Sequence, residues 1–128
     1  YYGYDDAIYS AVRLLDILCN SEENLAQIRD SLPIYVNTPE IRFDCPEDRK
    51  FAIIEEVRGR LAEGKGYTVN NIDGVRVENE HGWWLLRASN TQAVLVARCE
   101  SVDSKGLATI KEALVSQLRL SGLEPPVF

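Results

Sequence analysis

The sequence predicts an α+β fold: an antiparallel sheet with two helices on one face, in the order β-α-β-β-β-α with room for one extra short strand, preceded by a helical segment. Three observations carry this. Short apolar runs bounded by polar residues recur from Ile41 to Glu100, each the length of a strand. Two longer stretches, after Pro46 and after Asp103, space their apolar residues at helical intervals instead. Asp73-Gly74 and Glu80-His81-Gly82 separate the middle runs closely enough for tight antiparallel connections.

A chain of 128 residues is long enough for one domain with a real core. Its formal net charge of -6 argues against general binding to nucleic acid or to anionic membranes. No apolar run approaches membrane-spanning length, so no membrane association is expected. The three cysteines, Cys19, Cys45 and Cys99, are far apart and form no Cys-x-x-Cys pair. Reduced structural thiols in a cytoplasmic protein are the expectation. The opening Tyr1-Tyr2-Gly3-Tyr4, with no Met, reads as the middle of something longer.

Asp5 and Asp6 are good helix starters, since their carboxylates sit at the positive end of the helix dipole. Ile8, Ala11, Val12, Leu15, Leu18 and Cys19 follow at helical spacing, and Leu14 and Ile17 widen the stripe beyond one face. Ser21 is the expected cap of a weaker second helix to about Asp30, with Leu25 and Ile28 inward. Pro33 and Asn37-Thr38-Pro39 read as a linker.

Ile41, Phe43 and Cys45 alternate with Arg42 and Asp44 as a half-buried strand. Pro46-Glu47-Asp48 opens a helix whose inward stripe is expected to be Phe51, Ile54, Val57 and Leu61, stopped by Gly64 and Gly66. Tyr67-Thr68-Val69 is a short strand candidate. Val75 and Val77 point in, with Arg76 and Glu78 out. The double-Trp run follows, then a strand with Leu95, Ala97 and Cys99 against Val94, Val96, Arg98 and Glu100. Opposite charges on neighbouring strands are expected to pair on the outer sheet face. Asp103 caps the last helix, with Leu107, Ile110, Leu114 and Leu118 on one face and Gly122 and the following prolines at its end. Gly106 is a local weakness in it.

The chemistry concentrates in Arg87-Ala88-Ser89-Asn90-Thr91-Gln92, between Trp83-Trp84-Leu85-Leu86 and Val94-Leu95-Val96-Ala97. It offers a guanidinium, two hydroxyls and carboxamides, and no acid lies between Gly82 and Arg98. In an acidic chain this is a candidate anion seat, because Arg presents a fork to phosphate and Ser, Thr and Asn serve the remaining oxygens. The same residues also serve ordinary solvated turns. Elsewhere the chain offers little. His81 reads as a turn residue, Glu22-Glu23 and Glu55-Glu56 as helix surface, and Asp5-Asp6 as capping. Nothing matches a Ser-His-acid set, a metal cluster or a nucleotide-binding glycine loop.

This loop, with its double-Trp strand before it and Val94-Leu95-Val96-Ala97-Arg98-Cys99-Glu100 after it, resembles the phosphate-binding loop of the α-D-phosphohexomutases. The Ser-Asn-Thr form is similar to the bacterial phosphomannomutase/phosphoglucomutase branch. The family's common Pro is replaced by Ala93, which removes no donor. Asp73-Gly74-Val75-Arg76 also resembles the family. Tyr2-Gly3-Tyr4-Asp5-Asp6-Ala7-Ile8-Tyr9, with Arg13-Leu14-Leu15, is similar to the end of the family's third domain, although Ala7 stands where Gly is usual.

The resemblance implies a TATA-binding-protein-like fourth domain. It divides the chain into residues 1–36, the last helices of a preceding domain plus linker, and residues 37–128, a C-terminal phosphate-binding domain. A private N-terminal helix pair is the other reading of the front piece. Arg87, Ser89, Asn90 and Thr91 would hold the substrate phosphate during reversible hexose 1-phosphate/6-phosphate exchange. The catalytic phosphoserine, the Mg²⁺ site and the sugar-recognition loop would lie in other domains of the same parent chain, so this segment alone should not catalyse. The alternatives are a small α+β ligand-binding module and a single-stranded RNA-binding module using one Trp as a platform. Adjacent strand residues face opposite ways, so both tryptophans cannot serve.

Overall fold

The computed structural model describes residues 3–62 and 64–125. Tyr2, the first residue of the third-domain resemblance, and Pro126, at the expected stop of the last helix, lie outside the described residues. The described chain falls into two compact units, one up to Ile34 and one from Tyr35 onward.

The first unit is helical. α1 spans Ala7–Cys19, and Asp6 caps it by accepting the Tyr9 N–H at 2.8 Å. No residue of α1 is buried, and Ile8, Val12 and Leu15 are each more than half exposed. α2 spans Leu25–Ser31. Its cap is Asn24 rather than Ser21: Asn24 and Gln27 exchange side-chain-to-backbone hydrogen bonds at 3.1 and 2.8 Å. A carboxamide opposite Gln three residues later satisfies two orphan amides, which Ser21 cannot do from three residues further upstream. Ser21 instead accepts the Glu23 N–H. Leu25 is exposed and Ile28 half-buried, so the inward pair expected for α2 is not formed.

The second unit is a six-stranded sheet. Its strands are β1 Val36–Asn37, β2 Ile41–Asp44, β3 Thr68–Asn70, β4 Val75–Asn79, β5 Gly82–Ala88 and β6 Val94–Ser101. They lie in the order β1-β6-β5-β4-β3, all antiparallel, with β2 also on β6. β1 and β2 occupy successive parts of one edge of β6. The stretch read as linker is therefore partly sheet. Val36 pairs with Ser101, and Thr38 exchanges hydrogen bonds with the Cys99 backbone, its N–H to the carbonyl at 2.9 Å and its Oγ1 from the N–H at 3.0 Å. Pro39 cannot donate to a ladder, which hides the strand in the sequence.

α3 (Lys50–Leu61) and α4 (Ser104–Leu120) pack on one face. That face carries Val75 and Val77 of β4, Trp84, Leu86 and Ala88 of β5, and Leu95, Ala97 and Cys99 of β6. The register sets these in rows, such as Val77–Trp84–Cys99 and Val75–Leu86–Ala97. Ile110, Leu114 and Leu118 of α4 are fully buried and Leu107 is half-buried. Asp103 caps α4 through the Gly106 N–H at 2.7 Å.

Gly106 is not merely a weakness. A Cβ there would lie 2.2 Å from Ser101 Oγ and 2.7 Å from the His81 carbonyl, so its absence lets α4 meet the β4–β5 hairpin. The stripe of α3 is rotated from the expectation. Lys50, Ile53, Ile54, Val57 and Leu61 are buried, while Phe51 is 53% exposed. Arg60 of α3 joins the two helix ends, donating to the Gln117 carbonyl at 3.0 Å and to Ser121 Oγ at 2.8 Å.

Among the described residues, the outer-face arginines Arg42 and Arg76 pair with near neighbours in the chain rather than across strands. Arg76 meets Glu78 at 2.6 Å and Arg42 meets Glu40 at 2.8 Å. Cross-strand contact runs through Trp83, whose Nε1 donates to Glu100 at 3.2 Å and whose ring lies 4.7 Å from the Arg76 guanidinium. Val96, expected on this open face, is 2% exposed. Its register partners are Arg42 on one side and Arg87 on the other, and long arginine stems cover apolar neighbours.

Candidate phosphate-binding site

Arg87 is the last outward-facing residue of β5 before the loop at residues 89–93. Its side chain is 31% exposed, with Nη1 3.6 Å from Asp73 Oδ2. The guanidinium is thus held loosely at one corner while most of its donors remain open. The Asp73-Gly74 turn that supplies this carboxylate also touches the Arg87 backbone. Gly74 has φ +74, and a Cβ on it would stand 2.7 Å from Arg87 Cα and 2.3 Å from the Leu86 carbonyl.

The loop is narrow at its mouth, where the Ser89 N–H donates to the Val94 carbonyl at 3.1 Å. Ser89 is 8% exposed, and its Oγ accepts the Thr91 N–H at 3.4 Å. That leaves the Ser89 hydroxyl proton without a protein acceptor among the described residues. Asn90, Thr91, Gln92 and Ala93 are exposed. The side chains of Asn90 and Thr91 make no protein hydrogen bond among the described residues, nor do the N–H groups of Asn90, Gln92 and Ala93. The loop therefore presents uncommitted donors and one cation at an exposed rim.

The far side of the loop is tied down. Lys50 Nζ donates to the Gln92 carbonyl at 3.0 Å, Arg42 Nη1 donates to Gln92 Oε1 at 2.8 Å, and the Cys45 N–H donates to the Ala93 carbonyl at 3.0 Å. The four residues singled out from the sequence thus lie together on one strand end and loop. Sequence reasoning missed Lys50, Arg42 and Gln92 as its supports. Asp73 and Gly74 were visible as a turn, but nothing local tied that turn to Arg87. The antiparallel register does so, pairing Val75 with Leu86.

Among the described residues no three His, Cys, Asp or Glu side chains converge to hold a metal ion, and no helix is long and apolar enough to cross a membrane. The Mg²⁺ implied by the resemblance has no fitting donor set in the described residues. His81 is exposed at the β4–β5 turn, its Nε2 3.8 Å from Glu80.

The family model for the phosphoglucomutase/phosphomannomutase C-terminal domain matches residues 40–117. A phosphomannomutase/phosphoglucomutase of Pseudomonas aeruginosa is 41% identical over 127 residues, which is 99% of this chain and 27% of that protein. A phosphoglucomutase of Neisseria gonorrhoeae is 41% identical over 113 residues, 87% of this chain and 24% of that protein. The crystal structure of a phosphoglucomutase/phosphomannomutase family protein from Burkholderia thailandensis superposes with a TM-score of 0.74 at 34% identity, over 95% of this chain and 25% of that one. The chain thus spans about a quarter of the length of the curated relatives it matches. By sequence, by family model and by fold, the chain belongs to the phosphoglucomutase/phosphomannomutase family, and its sheet-and-two-helix unit is that family's C-terminal domain.

Proposed function

We propose that this chain is the substrate-phosphate domain of a phosphomannomutase/phosphoglucomutase, acting with other domains of one parent chain on hexose phosphates. In this reading Arg87 forks a phosphate, Ser89 and Thr91 add hydroxyl donors, and Asn90 adds an amide. The observation that carries it is the combination of a half-open guanidinium with donors that have no protein partner among the described residues, on a loop whose Gln92 and Ala93 carbonyls are engaged by Lys50 and the Cys45 N–H. A phosphate there is gripped by groups that recognise the anion and not the sugar. Such a grip suits a reaction in which either end of a bisphosphorylated hexose must fit. What this domain contributes is placement of the acceptor oxygen, which lowers the entropic part of the barrier. Mg²⁺ and the phosphoryl donor belong to other domains in this reading. α1 and α2 are read as the end of a preceding domain, with the phosphate-binding domain following from about residue 37, and the exposed apolar face of α1 supports that division. A cytoplasmic setting fits three cysteines that stand as free thiols.

The RNA-binding alternative is disfavoured by Trp83. Its ring is already faced by Arg76 and its N–H is bonded to Glu100, while Trp84 is 2% exposed in the core. The test is a titration of the chain with a hexose phosphate and, separately, with the same unphosphorylated sugar. Amides of residues 88–92 should move with the first and not with the second. Equal responses to both would remove the phosphate assignment.

A further inference from the structure

Lys50 is the one charged residue buried completely among those described, at 0% exposure. Its ammonium meets Glu47 Oε1 at 2.7 Å and the Gln92 carbonyl at 3.0 Å, and lies 5.1 Å from the Phe51 ring centroid. Burying an ammonium is costly, and an apolar side chain of similar length would fill the same space without that cost. A charge kept here must therefore do something that packing cannot. What it touches, apart from its own helix start, is the backbone of the loop.

The consequence follows from peptide geometry. In a planar trans peptide the C=O and the next N–H point in opposite directions, and the described chain has no cis peptide. Lys50 holds the Gln92 carbonyl, so the Ala93 N–H points away from Lys50, and it has no protein partner among the described residues. Arg42 holds the same residue by its side chain, and Cys45 holds the next carbonyl. Released, the Gln92 carbonyl could rotate outward and set a partial negative charge against a bound anion. Because Glu47 neutralises the ammonium, the effect is one of orientation rather than of added field.

We propose that Lys50 is a positioning residue for the anion loop: it keeps the Gln92 carbonyl turned away from the phosphate and presents the Ala93 N–H as a fifth donor beside Arg87, Ser89, Asn90 and Thr91. This rests on the reading of the loop as a phosphate site and specifies which backbone group completes it.

The test is an amide-resolved titration of the 128-residue chain with inorganic phosphate. In the unmutated chain the Ala93 amide should move together with those of residues 89–91. In Lys50→Met, folded by its melting profile, the Ala93 response should vanish and phosphate should bind about tenfold more weakly, the loss of one hydrogen bond, while residues 89–91 still respond. A variant with a merely structural defect would weaken all amides alike. If Lys50→Met does not fold, the unmutated titration still decides. Movement of residues 89–91 with a stationary Ala93 overturns the role given to Lys50 and leaves the phosphate site standing. A loop in which no amide moves overturns both.

Discussion

At Gly74 two constraints meet. Its φ of +74 disfavours any side chain, and the backbone of Arg87 occupies the space a Cβ would need. Gly74→Ala should cost about 1–3 kcal/mol in stability and displace Arg87, so denaturant unfolding and phosphate affinity should fall together. A variant with lower stability but unchanged phosphate affinity would mean that the turn does not set the guanidinium. Cys99 gives a second residue-level prediction. Burial pushes its thiol from the ordinary 9.0 up to about 12. The folded chain keeps a proton that the unfolded chain would release, so this contribution is complete below pH 9 and fades as pH rises to 12. Cys99→Ala should show a shallower loss of stability across that window than the unmutated chain. Equal slopes would contradict it. Arg87, Ser89, Asn90 and Thr91 were legible because their chemistry is local. Lys50 was not: a lysine beside Pro46-Glu47-Asp48 reads as a solvated helix start, and only the β2–β6 pairing brings it under the loop.

At the scale of elements, most of the sheet and both long helices were legible, because alternation and helical spacing survive in short windows. The phase of α3 was not. Phe51 is the largest apolar residue near its start and draws the stripe toward itself, yet positions 50, 53, 54 and 57 are the ones that face the sheet. β1 was hidden by its two-residue length and by the proline after it. The β1 strand places the expected cleavage ahead of Val36. Residues 32–34, where Leu32 and Ile34 are 60% and 88% exposed, should be nicked before anything from Val36 to Thr38, which the β6 edge protects. Early cleavage inside α3 would contradict the packing. Leu114, fully buried on α4, should cost about 2–5 kcal/mol as Leu114→Ala, measured by chemical denaturation. Thiol labelling separates the elements further. Cys19 is exposed and should react at once, while Cys45 and Cys99 are buried and should wait for opening of the sheet unit.

For the whole molecule, the family follows from the domain match and from relatives at about 40% identity. A net charge of -6 coexists with a local rim of donors, and Arg42, Arg76, Arg87 and Arg98 stand on the outer face of β2, β4, β5 and β6. In the proposed reading an anion would be drawn to that rim by a few oriented groups rather than by the field of the whole chain. The most direct measurement is kcat/KM of the full-length parent enzyme carrying Arg87→Ala. A hydrogen bond to a charged group contributes about 1.5–3 kcal/mol, so the variant should lose roughly 10- to 150-fold in kcat/KM toward a hexose phosphate while keeping its melting temperature. Unchanged kcat/KM in a correctly folded Arg87→Ala enzyme would contradict the assignment of this loop to the substrate phosphate.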